Sequence, residues 1–239
     1  MAVIRNLDGF TDLPASDPLA ALPFLDPTRW AVWLEDFLQY DKTQGNVAYT
    51  LTQTNGVDTI VGPTGVLTLT LAGADNDLAQ LYLTDAPFQT TSGKKLIWEC
   101  RCRVQMGAGG TIGQQEVFVG LSSVQTGADF VAADGLTRAM DDAMAFYSID
   151  GTANTSCIQG ENDTYSTEAN AFAYANNTWM VLTCYYDGTS TFFYRDGALE
   201  ATLTTNPPTS VVTPMMFVKA GEAFAAVLEV DYFLVAVER

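Results

Sequence analysis

Between Trp179 and Thr204 the chain reads WMVLTCYYDGTSTFFYRDGALEATLT, three β-branched and aromatic runs separated by Asp187-Gly188 and Asp196-Gly197. Asp-Gly between such runs is a strong hairpin signal, because a two-residue type I′ turn needs positive φ at both central positions. The stretch therefore predicts an antiparallel meander. It leaves little room for a helical or parallel-sheet fold.

The rest of the chain repeats the pattern. Alternating runs occur at Val47–Gln53, Gly65–Gly73, Leu78–Thr84, Lys94–Val104, Glu116–Val124 and Ala143–Gly151, with a return strand at Thr155–Gly160. Two more follow the meander, Pro214–Gly221 and Ala226–Val237. In Val66–Leu71, Leu67, Leu69 and Leu71 alternate with Val66, Thr68 and Thr70, so one face is apolar and the other carries hydroxyls. The glycine-rich stretch Gly107–Gly113 reads as a hairpin tip. The Trp30, Trp33, Leu34 and Phe37 spacing also fits a helical face; the preferred reading is a short helical turn and then a strand at Trp33–Tyr40. Strands at short intervals, without a fixed-period repeat, predict an all-β, two-sheet antiparallel sandwich.

Residues 1–27 differ. Pro14, Pro18, Pro23 and Pro27 are too closely spaced for a regular helix and suit an extended arm. Leu13, Leu19, Leu22, Phe24 and Leu25 are costly to leave in water, so the arm is expected to pack on its own domain or on a neighbouring subunit. The organisation is thus an arm, 1–27, and one sandwich, 28–239.

The chain has 28 acidic and 11 basic residues, a net charge of −17, and no histidine. A polyanionic surface disfavours nucleic acid and anionic lipid, so neither is an expected partner. Without His, a Ser-His-Asp triad is excluded and the commonest zinc ligand is missing. No apolar run approaches the roughly 20 residues of a membrane span. The start has no basic-then-apolar leader, so the chain is expected to stay where it is made. Cys100, Cys102, Cys157 and Cys184 are accordingly expected to be reduced, the first two on one face of a strand.

Glu35-Asp36-Phe37-x-x-Tyr40-Asp41, Val119-Gly120-Leu121, Phe193-Tyr194-x-Asp196-Gly197, Val230-Asp231-Tyr232 and Glu238-Arg239 follow one another in an order that spans most of the chain beyond the arm. In this order they resemble the concanavalin A-like lectin/glucanase jelly roll, in the version found among structural proteins of tailed bacteriophages. The resemblance implies a non-enzymatic virion protein that decorates the outer capsid surface, is made in the host cytoplasm, binds the major capsid protein and forms a homo-oligomer. A carbohydrate-binding module on a virion or a tail or head fibre is the alternative.

Glucanases of this fold carry Glu-x-Asp-x-x-Glu on one strand. Glu229-Val230-Asp231 echoes it, but Leu234 stands where a glutamate is required, which argues against the paired carboxylates of retaining hydrolysis. Asp75-Asn76-Asp77, Glu161-Asn162-Asp163 and the group Asp129, Asp134, Asp141 and Asp142 are oxygen-rich loops that suit a structural Ca²⁺, although Asp and Asn are also standard turn formers. No other cofactor is expected. Around the Asn-rich segment 161–179, Tyr165, Phe172, Tyr174 and Trp179 are candidate platforms for a glycan or an interface, set against ordinary packing.

Overall fold

The computed structural model describes residues 28–37, 49–54, 56–61, 65–84, 88–91, 93–123 and 142–239. Leu13, Leu19, Leu22, Phe24 and Leu25, expected to anchor an arm, lie outside them, as do Asp129, Asp134 and Asp141. The described strands are β1 (Trp30–Glu35), β2 (Tyr49–Thr54), β3 (Gly56–Val61), β4 (Val66–Leu71), β5 (Leu78–Leu83), β6 (Phe88–Gln89), β7 (Leu96–Met106), β8 (Gln115–Ser122), β9 (Ala143–Ser148), β10 (Asn154–Glu161), β11 (Thr164–Ala173), β12 (Met180–Tyr186), β13 (Thr191–Arg195), β14 (Ala198–Leu203), β15 (Val211–Ala220) and β16 (Ala226–Glu238).

They form two sheets of antiparallel neighbours. Sheet A runs β14-β13-β12-β7-β16-β4-β3, with β1 also on β16; sheet B runs β11-β10-β9-β8-β15-β5-β2, with β6 also on β15. The chain is an all-β, two-layer sandwich of jelly-roll type, as the alternation predicts.

Side chains pointing inward from both sheets make one core. Sheet A contributes Leu96, Trp98, Cys100, Cys102 and Val104 from β7; sheet B contributes Val117, Val119, Leu121, Met144 and Phe146. Trp98 stacks on Phe233 at 5.6 Å and meets Phe146 of the opposite sheet edge-on at 5.7 Å. Each large side chain buried here stabilises the fold by about 1.5–3 kcal/mol. The four cysteines are buried free thiols, in agreement with the expectation of reduced cysteines.

In β16 the register slips between Val230 and Tyr232. The bulge at Asp231 turns Leu228, Val230, Phe233 and Val235 inward, although strict alternation would have aimed Tyr232 and Leu234 there.

The turns divide into two kinds. Asp196 and Gly197 both have positive φ, 50° and 80°, and close β13 onto β14 as predicted. Asp187-Gly188 does not form that turn, since only Gly188 has positive φ. Asp187 Oδ1 instead accepts the N–H groups of Thr189 and Ser190, both at 2.8 Å, within a longer loop.

Other expectations are corrected. The first strand is Trp30–Glu35 rather than Trp33–Tyr40, and a turn at residues 28–29 leads into it. It ends where Phe37 takes φ 53° and donates its N–H to Glu35 Oε1 at 2.7 Å. The Gly107–Gly113 segment carries the chain from β7 in one sheet to β8 in the other, so it is no hairpin tip. It is tied down by the Gly107 N–H, which donates to Ala225 O at 2.8 Å. The Asn-rich segment, to which the sequence assigns no strand, contains the edge strand β11, entered through Asn162 and Asp163 with φ 45° and 60°. These two residues act as a hairpin turn without glycine.

Candidate functional site

Alternation along β7 sends Trp98, Cys100 and Cys102 inward, so Ile97, Glu99, Arg101, Arg103 and Gln105 point to the outer face of sheet A. Strand β16 lies beside them, pairing Glu229 with Arg103 and Tyr232 with Arg101. Arg101 Nη1 donates to Asp231 Oδ2 at 2.9 Å, and Arg103 pairs with Glu229. Gln105 Nε2 donates to the same Glu229 carboxylate at 2.5 Å. Trp179, just before β12, completes the group: the guanidinium carbons of Arg101 and Arg103 lie 4.4 and 4.6 Å from its ring centre. Cation–π attraction and ion pairing together hold the indole plane in place. The arginine side chains are 25% and 26% exposed, so the patch is reachable from solvent.

Next to it the same face is closed. Glu99 is fully buried and accepts hydrogen bonds from Tyr232 Oη at 2.6 Å and Thr183 Oγ1 at 3.0 Å. Burial, and then the adjacent Glu99 charge, push the Tyr232 phenol well above its ordinary value.

The outer face of sheet B is built differently. Phe118 and Phe217 stack at 5.6 Å, with Met215, Ile158 and Tyr147 buried around them. Glu116 faces Lys219 across the ladder, 3.2 Å apart, and both are buried. On β8 the outward positions read Glu116, Phe118, Gly120 and Ser122, a single carboxylate.

The four aromatic candidates separate. Phe172 and Tyr174 belong to the inter-sheet core. Phe172 packs 5.9 Å from Phe146, while the Tyr174 hydroxyl receives the Gln115 amide and sits 3.4 Å from Ser148 Oγ. Burial raises the Tyr174 phenol. Tyr165 is half-buried beside Gly160 on sheet B, and Trp179 is half-buried on sheet A. The structure therefore does not bring the four together.

The acidic loops also find their uses. Asp77 Oδ2 accepts the N–H groups of Gly73 and Ala74 at 3.0 and 2.8 Å, and Asn76 has φ 63°, so that loop is a capped turn. Among the described residues no three His, Cys, Asp or Glu side chains gather in a metal-holding group. Asp142, just before β9, and Glu161, the last residue of β10, do meet, through Thr209. Sequence reasoning used the alternation in β7 to place Cys100 and Cys102. The same parity would have put Glu99, Arg101 and Arg103 together, whereas their partners come from the neighbouring strand β16, where only Tyr232 owes its outward aim to the bulge.

No protein-family model and no curated protein matches the sequence. Solved structures match it along most of its length. The carbohydrate recognition domain of Emp46p, metal-free, is similar at 13% identity with a TM-score of 0.58, over 84% of this chain and 93% of that one. The fold is a concanavalin A-like jelly roll. The endo-1,3-β-glucanase from Streptomyces sioyaensis is similar at 13% identity with a TM-score of 0.57, covering 88% and 97% of the two chains. The Bacillus licheniformis β-glucanase matches at 12% identity and a TM-score of 0.58, covering 87% and 98%.

These likenesses correct the expected function. They run to carbohydrate-recognition and glucanase domains and carry no phage signal, so the reading as a capsid-decorating virion protein bound to the major capsid protein is withdrawn. The expectation of a non-enzymatic protein is withdrawn with it, because glucanases and a transglycosylase stand among the matches. The motifs that suggested a virion protein are structural chemistry that any such sandwich can use: Phe193–Gly197 makes a tight turn, and Val230–Tyr232 makes a bulge. Among the described residues no helix is long and apolar enough to cross a membrane.

Proposed function

We propose that this chain is a glycan-recognising domain whose sugar contacts centre on Trp179, Arg101 and Arg103. The observation that carries the reading is the indole fixed under two guanidiniums on a reachable sheet face. Sugar sites combine an aromatic surface for C–H faces with a few polar groups that fix orientation. Here Asp231 and Glu229 supply acceptors for hydroxyls, and the arginines and Gln105 supply donors. The likeness to a carbohydrate recognition domain and to glucanases supports the ligand class and makes β-glucan oligosaccharides the first probes.

The test is titration calorimetry against β-1,3- and mixed-linkage β-glucan oligosaccharides and a wider glycan array, with reducing-sugar release measured in parallel. Binding that weakens at least tenfold in Trp179→Ala, with the fold intact by circular dichroism, is the expected result. Release of reducing ends would add hydrolysis to recognition at this fold. No binding to any glycan, or binding unchanged in Trp179→Ala, overturns the assignment of this surface.

A further inference from the structure

At the far end of the β9–β10 hairpin two carboxylates converge, and neither forms an ion pair among the described residues. Ala143 pairs with Gly160, and carrying that register one residue on sets Asp142 opposite Glu161. The segment leading into β15 joins them. Thr209 donates its N–H to Asp142 Oδ1 at 2.7 Å and its hydroxyl to Glu161 Oε1 at 2.7 Å, so the two carboxylates share one residue as donor. Ser210 N–H adds a second bond to Asp142 Oδ1 at 3.1 Å. Asp142 is 0% exposed, and its other oxygen, Oδ2, has no hydrogen-bond partner.

A second group points the same way. Gln159 lies two residues before Glu161 on β10, on the same side of the strand by alternation. It is 1% exposed; its Nε2 donates to Thr205 O at 2.5 Å, and its Oε1 has no partner. Neither Asp142 nor Glu161 forms an ion pair among the described residues. A buried carboxylate oxygen and a buried amide oxygen left bare each cost free energy, and like charges side by side add to it.

We infer that Asp142, Glu161 and Gln159 form a site for a hard divalent cation, with Ca²⁺ the best fit. All the donors are oxygen, which excludes a preference for soft metals. Two carboxylates match a double positive charge. An amide oxygen beside carboxylates on two strands and flexible coordination suit Ca²⁺ better than the small, strictly octahedral Mg²⁺. Thr209 and Ser210 are exposed, so an ion and its remaining waters have a route in from solvent. With two charged ligands the site belongs to the weak class, with Kd about 10⁻⁴–10⁻³ M. The inference does not depend on sugar binding, since the Trp179 patch lies on the other sheet.

The test uses the whole chain at fixed ionic strength. Calorimetric titration with calcium chloride should show one site in that range, and 5 mM Ca²⁺ against EDTA should raise the melting temperature by a few degrees. Glu161→Gln, nearly isosteric, should weaken binding at least tenfold, and Asp142→Asn should do the same while keeping its Oδ1 acceptor. Equal melting in Ca²⁺ and EDTA overturns the site. So does a calcium response that survives unchanged in both variants, which would place the ion elsewhere.

Discussion

Tyr232 donates its hydroxyl hydrogen to Glu99 across 2.6 Å, with both side chains buried on the outer side of sheet A. A fully buried carboxylate is tolerated only while its oxygens are bonded, and Thr183 serves the other one. Tyr232→Phe keeps the ring and removes the donor. Urea unfolding should show a loss of about 1–3 kcal/mol, the cost of stripping a bond from a buried charged group. A variant as stable as the parent would show that the hydroxyl is replaceable.

Stability should fall in alkali. Burial raises the thiols of Cys100, Cys157 and Cys184, and it raises the phenols of Tyr174, Tyr232 and Tyr185, the last to about 12. In the unfolded chain thiols ionise near ~8.5 and phenols near ~10. Above those values the unfolded state has shed protons that the folded state still holds, so the unfolding free energy decreases with rising pH. The stabilisation is complete below about pH 8 and is lost progressively above it. Urea midpoints measured from pH 7 to 11 should drop from about pH 8.5 onward; a flat profile would contradict the burial of these groups.

Gly197 occupies φ 80° in the turn between β13 and β14. A side chain there meets the left-handed penalty of about 1–2 kcal/mol. Its neighbour Asp196 clasps the turn to β12, with Oδ1 accepting Val181 N–H at 2.8 Å. Gly197→Ala should lower stability by about 1 kcal/mol, and Gly197→Asn, which tolerates the same φ, should recover most of it. Thermal melts of the pair decide whether backbone strain or loss of flexibility is responsible.

The chain's local chemistry made much of the architecture legible. Alternation in Val66–Leu71 shows which face of β4 is buried, and Asp196-Gly197 marks a turn that forms as read. Where a turn depends on what lies beyond it, the same dipeptide misleads: Asp187-Gly188 gives a longer loop because the Asp187 carboxylate caps Thr189 and Ser190. The edge strand β11 has no apolar rhythm to read, because only Phe172 of its ten residues is buried.

By itself the sequence determined the class of fold and the strand faces, both of which follow from short-range periodicity and local dihedral preference. Only the tertiary structure decided which polar groups meet. The pairing of β16 with β7 brings Glu229 and Asp231 to Arg103 and Arg101, the bulge at Asp231 turns Tyr232 outward to Glu99, and the segment before β15 brings Thr209 to Asp142 and Glu161. Those encounters join residues scores of positions apart. A one-residue change of register sends a side chain to the opposite face, and no local pattern records it.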